Sequence, residues 1–182
     1  FVLRTVKKQV PAYNLKHYTW GEALTHGAKN TYIQPKLVQE DIAFLQYTGG
    51  TTGVSKGAIL THRNIIANML QICAWMRPKL VEGEEICITP LPMYHIFSLT
   101  VNCLAFMRYG AMNILITNPR DIPSFIKTMK SEKFTIMTGV NTLYNSLAVA
   151  PNIKEVNFSH LKISVAGAMA LQNTVKERWK QA

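Results

Sequence analysis

The hydrophobic and polar positions divide this chain near residue 40. Before that point the apolar residues are scattered. Residues 3–10 have weak helical spacing that Pro11 ends, and residues 19–26 space their apolar positions as a short amphipathic helix. From Asp41 onward, short apolar runs alternate with stretches of helical period. Ile42-Ala43-Phe44-Leu45 is an unbroken apolar run and predicts a buried strand. After a Gly- and Thr-rich stretch, Ile65, Met69, Cys73 and Met76 share one face of a helix that Thr61 caps, with Pro78 beyond its end. Ile86-Cys87-Ile88 predicts a strand, and residues 98–108 predict an apolar helix closed by Gly110. Asn113-Ile114-Leu115-Ile116 reads as another strand. Asp121 caps a helix with Pro123 in its first turn and Ile122, Phe125, Ile126 and Met129 at helical spacing. Residues 134–137 predict a strand, 141–149 a helix and Ile163-Ser164-Val165 a strand; Leu171, Val175 and Trp179 mark the face of a last helix.

Such alternation predicts an α/β fold, a mostly parallel β-sheet with helices on both faces. Residues 1–40 read as a connecting segment and residues 41–182 as the α/β core, with no internal repeat. Ligands of such sheets sit beyond the carboxyl ends of the strands. The segments richest in chemistry fall there: residues 48–57, 91–95, 139–142 and 166–169.

Composition narrows the function. The formal charge is +10, from 20 Lys and Arg against 10 Asp and Glu, yet the charges are scattered and form no basic run, which argues against a nucleic-acid partner. The three cysteines, Cys73, Cys87 and Cys103, lie far apart in apolar segments and show no CxxC spacing; they read as buried thiols of a reducing compartment. Residues 1–10 lack the apolar core of a signal peptide. The most apolar region, residues 86–107, is interrupted by Pro90, Pro92, His95 and Asn102, so no run reaches the ~20 residues of a membrane helix. A soluble cytoplasmic protein is expected, with peripheral contact with a membrane surface left open. Phe1 is not an initiator methionine, and Lys180-Gln181-Ala182 stops inside a helical pattern; a piece of a longer protein is expected.

The chemistry concentrates in residues 47–58, YTGGTTGVSKGA. Glycine accepts positive φ at no steric cost, so such a loop can turn its N–H groups inward. With hydroxyls and one ammonium, Lys56, it forms a phosphate cradle. The P-loop of NTPases needs Gly before its Lys and Ser or Thr after it. Here Ser55 precedes Lys56 and Gly57 follows, so that pattern fails. The string instead resembles the phosphate loop of the adenylate-forming enzymes: acyl-CoA synthetases, luciferases and peptide-synthetase adenylation domains. Ile59-Leu60-Thr61-His62-Arg63-Asn64 also matches that family. The resemblance implies that Tyr47, Thr48, Gly49, Gly50, Thr51, Thr52, Gly53, Val54, Ser55, Lys56, Gly57 and Ala58 hold the β and γ phosphates of ATP, with Thr48 beside a Mg²⁺.

Pro90-Leu91-Pro92-Met93-Tyr94-His95 leaves a strand with two prolines, an aromatic and a histidine. An imidazole there can hydrogen-bond a carboxylate or act as a gate, or be a core histidine with a satisfied partner. The stretch is similar to one in acyl-CoA synthetases that borders the carboxylate and acyl pocket. That likeness implies substrate contacts by Tyr94 and His95, with His95 catalytic. Residues 138–144, TGVNTLY, make a plain helix start with Asn141 or Thr142 as cap. They also resemble the family segment that lines the acyl tunnel, which implies substrate contacts by Gly139, Val140 and Thr142. Residues 165–169 resemble the adenine-contacting turn and imply nucleotide contacts by Ala166, Gly167, Ala168 and Met169. Here Ala166 and Ala168 stand where glycines are usual, and Ala170 where proline is usual.

Together with TNPRDIP at residues 117–123, these segments look closest to bacterial long-chain fatty acid–CoA ligases, over almost the whole chain and most strongly over residues 38–145. The resemblance implies activation of a fatty acid by ATP and Mg²⁺ to acyl-adenylate, then to a thioester with CoA. The family's YGxTE segment, ribose-binding aspartate, hinge and C-terminal catalytic lysine are not in these 182 residues, so a fragment of the large N-terminal domain, inactive alone, is expected. Two alternatives stay open: an aryl- or amino-acid-activating enzyme, and, for the isolated fragment, a non-catalytic nucleotide- or lipid-binding module. No acidic residue near Tyr94 or Gly139 awaits an α-amino group. Ile96, Phe97, Leu99, Val101, Val140, Leu143 and Leu147 suit a long aliphatic chain.

Overall fold

A computed structural model describes residues 6–9, 14–48 and 56–182. Pro11 and half of the residues expected in a weak helix, 3–5 and 10, lie outside them; of the rest, residues 7–9 are not helical, and Lys8 holds φ +48°. Two compact units form, Phe1–Leu37 and Val38–Ala182.

In the first unit, helix α1 (Trp20–Gly27) stands where the spacing predicts. Thr19 caps it. Its hydroxyl accepts from the Glu22 N–H at 3.3 Å, and the Glu22 carboxylate accepts from the Thr19 N–H at 2.7 Å. No residue of α1 is buried, so this helix rests on its cap rather than on packing.

The second unit opens with a hairpin. Strand β1 (Ile42–Thr48) pairs antiparallel with β2 (Lys56–Thr61). The first apolar run is thus a strand, but in a two-stranded sheet of its own rather than in the parallel sheet. Nor is it buried: Ile42 is 57% exposed and Leu45 55%. A continuous apolar run is buried only where both its faces find a layer, and among the described residues β1 has one strand neighbour. Strand β2 is unannounced by the pattern, since Gly57 and Ala58 have no strand signature.

Helix α2 (His62–Met76) follows, capped as expected: the Thr61 hydroxyl accepts from the Asn64 N–H at 3.3 Å, and Asn64 Oδ1 accepts from the Thr61 N–H at 3.0 Å. Ile65 and Met76 are buried; Met69 and Cys73 are half-buried on the same face.

Strands β3 (Ile86–Thr89), β4 (Met112–Leu115), β5 (Ile136–Gly139) and β6 (Ile163–Ala166) then form a four-stranded parallel sheet in the order β4-β3-β5-β6. Between β3 and β4 the expected single helix is instead three pieces: α3 (Ile96–Ser98), a π-helical stretch (Leu99–Ala105) and α4 (Phe106–Arg108). Gly110 closes it at φ +64°, a conformation glycine adopts freely. Helices α5 (Ile122–Ser131), α6 (Asn141–Ala148) and α7 (Asn173–Gln181) complete the unit.

The sheet is covered on both faces, and the alternation of a strand decides which. Ile88 and Met137 pack with Phe125, Met129, Leu147 and Val175 of α5, α6 and α7. Their neighbours Cys87 and Ile136 face the other way, against Met76, Val101 and Phe106. Each fully buried side chain of this size contributes about 1.5–3 kcal/mol. Tyr144 joins two strands from within: its hydroxyl lies 3.0 Å from the carbonyls of both Met137 and Val165. At the amino edge, Glu85 is buried, and its Oε1 accepts from the Val81 N–H and from Lys162 Nζ, each at 2.6 Å.

Burial pushes the Cys87 thiol from 9.0 up to about 12, and pushes the Tyr144 phenol up as well. The folded chain therefore keeps protons that the unfolded chain releases. Their contribution is intact below about pH 9 and is lost as pH rises toward 12. Melting temperature should fall between about pH 9 and about pH 11, and less steeply in Cys87→Ala. A flat profile in the wild type would contradict this.

Candidate active site

The connection from β3 runs outward to β4, and the next returns past β3 to β5. Chain paths diverge between β3 and β5, and a crevice opens at that point on the carboxyl edge. Residues 90–95 leave β3 there. Val140 and α6 leave β5, and the turn at 167–169 leaves β6.

A cavity of about 350 Å³ occupies this edge, walled by Leu91, Pro92, Ile122, Val140 and Leu143, with Thr142 and Arg120 on its lining. A second groove of about 330 Å³ lies beside it and shares Pro90, Leu91, Pro92 and Pro119; Tyr94, 84% exposed, lines this one. His95 lines neither groove. It is exposed, which removes the core-histidine reading, and it caps α3: Nδ1 accepts from the Phe97 N–H at 3.2 Å. In the neutral ring that bond leaves Nε2–H as a free donor. Arg120 had no role in the motif reading beyond its place in TNPRDIP; the structure puts it on the cavity lining.

Gly139 and Gly167 admit close neighbours. A Cβ at Gly167 would lie 2.8 Å from the Phe97 ring, and one at Gly139 would lie 2.9 Å from the ring of Tyr144. The Gly167 N–H donates to the Gly139 carbonyl at 3.2 Å, joining the two turns. Tyr144 is fully buried with its hydroxyl at two carbonyls, so its ring has nowhere to go. Gly139→Ala should therefore lower stability by about 1–3 kcal/mol, read as a shifted urea midpoint. An unshifted midpoint would show that the ring yields. Ala168 holds φ +68°, so this turn keeps a glycine-type backbone although its side chain is a methyl. Ala166 and Gly167 are half-buried and Met169 is exposed.

On the hairpin, Thr48 ends β1 directly opposite Lys56, the exposed first residue of β2, and Tyr47 stands opposite Gly57 with its ring 3.5 Å from where a Cβ would be. Ala58 pairs with Gln46. The connecting residues Gly49, Gly50, Thr51, Thr52, Gly53, Val54 and Ser55 lie outside the described residues, as does the side chain of Thr48. The hairpin brings together both ends of the expected phosphate loop.

Beneath the crevice lies a polar cluster that periodicity does not foresee. Asn102, Thr138 and Ser98 are fully buried, and Thr89 is nearly so. Asn102 Nδ2 donates to the hydroxyls of Thr89 and Thr138, each at 3.0 Å. Its one sequence signal is an asparagine interrupting an apolar helix. Among the described residues no three His, Cys, Asp or Glu side chains gather as a metal site, and no helix is long and apolar enough to cross a membrane.

An open parallel sheet with a crevice at its switch point defines a doubly wound α/β protein. The chain belongs to the AMP-binding enzyme family, whose model matches residues 3–182. It is 51% identical over 180 residues to a long-chain-fatty-acid–CoA ligase of Salmonella typhimurium, a match that takes in 98% of this chain and 32% of the relative. It resembles ATP-bound MatB from Rhodopseudomonas palustris with a TM-score of 0.69 at 27% identity, over 87% of this chain and 31% of that one. It also resembles a fatty acyl-adenylate ligase from L. pneumophila in complex with acyl adenylate and pyrophosphate, with a TM-score of 0.66 at 26% identity, over 81% of this chain and 27% of that one. The chain spans about a third of the length of the curated ligases it matches.

Proposed function

We propose that the protein carrying this chain activates a long-chain fatty acid. Its carboxylate oxygen attacks the α-phosphorus of ATP, the α–β phosphoanhydride bond breaks, and pyrophosphate leaves. The CoA thiolate then attacks the acyl carbon and AMP leaves. The observation that carries this reading is the apolar cavity at the switch point, walled by Leu91, Pro92, Ile122, Val140 and Leu143, with Arg120 the charged side chain on its lining. The 51% identity to a long-chain ligase supports it.

The residues divide the work. The loop from Tyr47 to Ala58 presents N–H groups, hydroxyls and the Lys56 ammonium to the β and γ phosphates, which holds the ATP tail and neutralises its charge. A bound Mg²⁺ would supply further neutralisation; the phosphates would hold most of it, with Thr48 this chain's residue beside it. The turn Ala166, Gly167, Ala168 and Met169 offers backbone to the flat adenine ring. His95 Nε2–H donates to the acid's carboxylate, and Tyr94 flanks it. Gly139, Val140 and Thr142 border the acyl chain. We place residues 41–182 as the phosphate-loop core of a larger ligase domain. The setting is cytoplasmic, with peripheral contact at a membrane surface through a basic exterior.

The test is exchange of labelled pyrophosphate into ATP by the full-length protein. Exchange should require both ATP and palmitate. Exchange that ignores the fatty acid would overturn the proposal.

A further inference from the structure

We propose that Asn102 is a positioning residue for the acid-binding crevice, setting from beneath it the place of His95. The inference rests on the fatty-acid-activating reading. It starts from where Asn102 stands. The side chain is fully buried in the π-helical stretch Leu99–Ala105, under the gap between β3 and β5. Its amide has two protons and uses both across that gap. One reaches the hydroxyl of Thr89, the last residue of β3, and the other the hydroxyl of Thr138 in β5, each at 3.0 Å.

The amide oxygen, 3.3 Å from the Thr138 hydroxyl, also reaches toward the loop. Ser98 Oγ lies 3.2 Å from Asn102 Oδ1, 3.2 Å from the Leu91 carbonyl and 3.4 Å from Met93 Sδ. Ser98 is thereby the knot between Asn102 and the segment that carries Tyr94 and His95. His95 caps the same short helix that Ser98 ends. The cluster continues outward: the Thr89 hydroxyl donates to Asn113 Oδ1 at 2.7 Å, and Asn113 Nδ2 donates to the Asn102 carbonyl at 3.0 Å. The Asn102 side chain thus joins β3 and β5; its main-chain carbonyl and Thr89 tie in β4 through Asn113, and Ser98 ties in the loop at residues 90–95.

Stability alone does not call for these groups. Replacing all partners of a buried hydrogen-bonded set by apolar groups of the same shape is close to neutral. What directed bonds add is a single geometry, because each partner is satisfied in one arrangement. π-Helical turns also concentrate at functional sites. Here the turn brings an asparagine under the crevice.

The experiment uses the full-length enzyme with palmitate, ATP and CoA. Asn102→Asp keeps the shape and the acceptor but removes both amide donors. It should lower kcat/KM for palmitate by about a hundredfold, as loss of reacting geometry does. KM for ATP should stay within about twofold, because both ends of the proposed phosphate loop, Thr48 and Lys56, lie on the separate hairpin sheet. In a His95→Ala background the same substitution should cost less than about threefold, since two residues acting through one contact are not additive. A loss equal in both backgrounds, or one that falls equally on ATP, would mark Asn102 as merely structural and overturn the inference. If Asn102→Asp does not fold, Thr138→Val, which removes one partner at constant shape, takes its place with the same three expectations and the same contrary results. A wild type that does not use palmitate at all would instead bring down the functional reading together with the inference.

Discussion

Replacing Lys162 by methionine is expected to lower stability by about 3 kcal/mol or more. Lys162 Nζ lies 2.6 Å from Glu85 Oε1; the lysine side chain is 32% exposed and the carboxylate is not exposed at all. Burial pushes the Glu85 carboxyl up. The Lys162 ammonium, the nearby Thr135 hydroxyl and the Val81 N–H outweigh that and hold it below the ordinary carboxylate range. Removing the ammonium strands a charge in an apolar edge, and Glu85 Oε2 already has no hydrogen-bond partner. Because the folded pKa is depressed, the pair's contribution is present above the ordinary value of 4.5 and is lost as pH falls through the folded one. Urea denaturation near neutral pH measures the loss. A double replacement, Glu85→Leu with Lys162→Met, should recover most of it, since an apolar pair asks for no counter-charge. A single variant as stable as the wild type would show that the pair contributes nothing.

Lys56→Ala is expected to lower kcat/KM for ATP in the full-length enzyme by about ten- to a hundredfold, equivalent to about 1.5–3 kcal/mol for a charge-assisted contact. Lys56 begins β2 opposite Thr48, so both flank the proposed phosphate loop. Palmitate binding should change little, because the acyl cavity is built from β3, β5 and the helices that follow them. Pyrophosphate release against ATP concentration checks it. An unchanged dependence on ATP would remove the hairpin from the phosphate site.

Much of this architecture is legible in sequence for a local reason. Strand alternation, the Asp121 cap with Pro123, and the Thr61 cap with Asn64 are interactions between near neighbours, and a chain read in order records them. The parallel order, the crevice edge and the covered faces follow once strands and helices are placed. What stays hidden depends on distant partners. Nothing local says that Ile42-Ala43-Phe44-Leu45 pairs with Lys56–Thr61 and keeps Leu45 exposed. The Glu85–Lys162 pair spans 77 residues, and Asn102 meets Thr138 across 36. The site was partly legible in the same sense. The glycines and the Tyr-His pair stand out as words, but the division of Tyr94 and Val140 between two adjoining grooves is a property of packing. Arg120 was visible only as a letter of a motif until the fold put it on the cavity lining.

The measurement closest to the central claim is a competition among palmitate, acetate, benzoate and an amino acid for the full-length enzyme, read as kcat/KM in acid-dependent pyrophosphate release. Apolar walls at Leu91, Ile122, Val140 and Leu143 reward each buried methylene by about 0.8 kcal/mol. An amino acid would leave its ammonium unpaired against them, at about 1–3 kcal/mol or more. The account predicts that palmitate wins by orders of magnitude. A higher kcat/KM for acetate or the amino acid would contradict it.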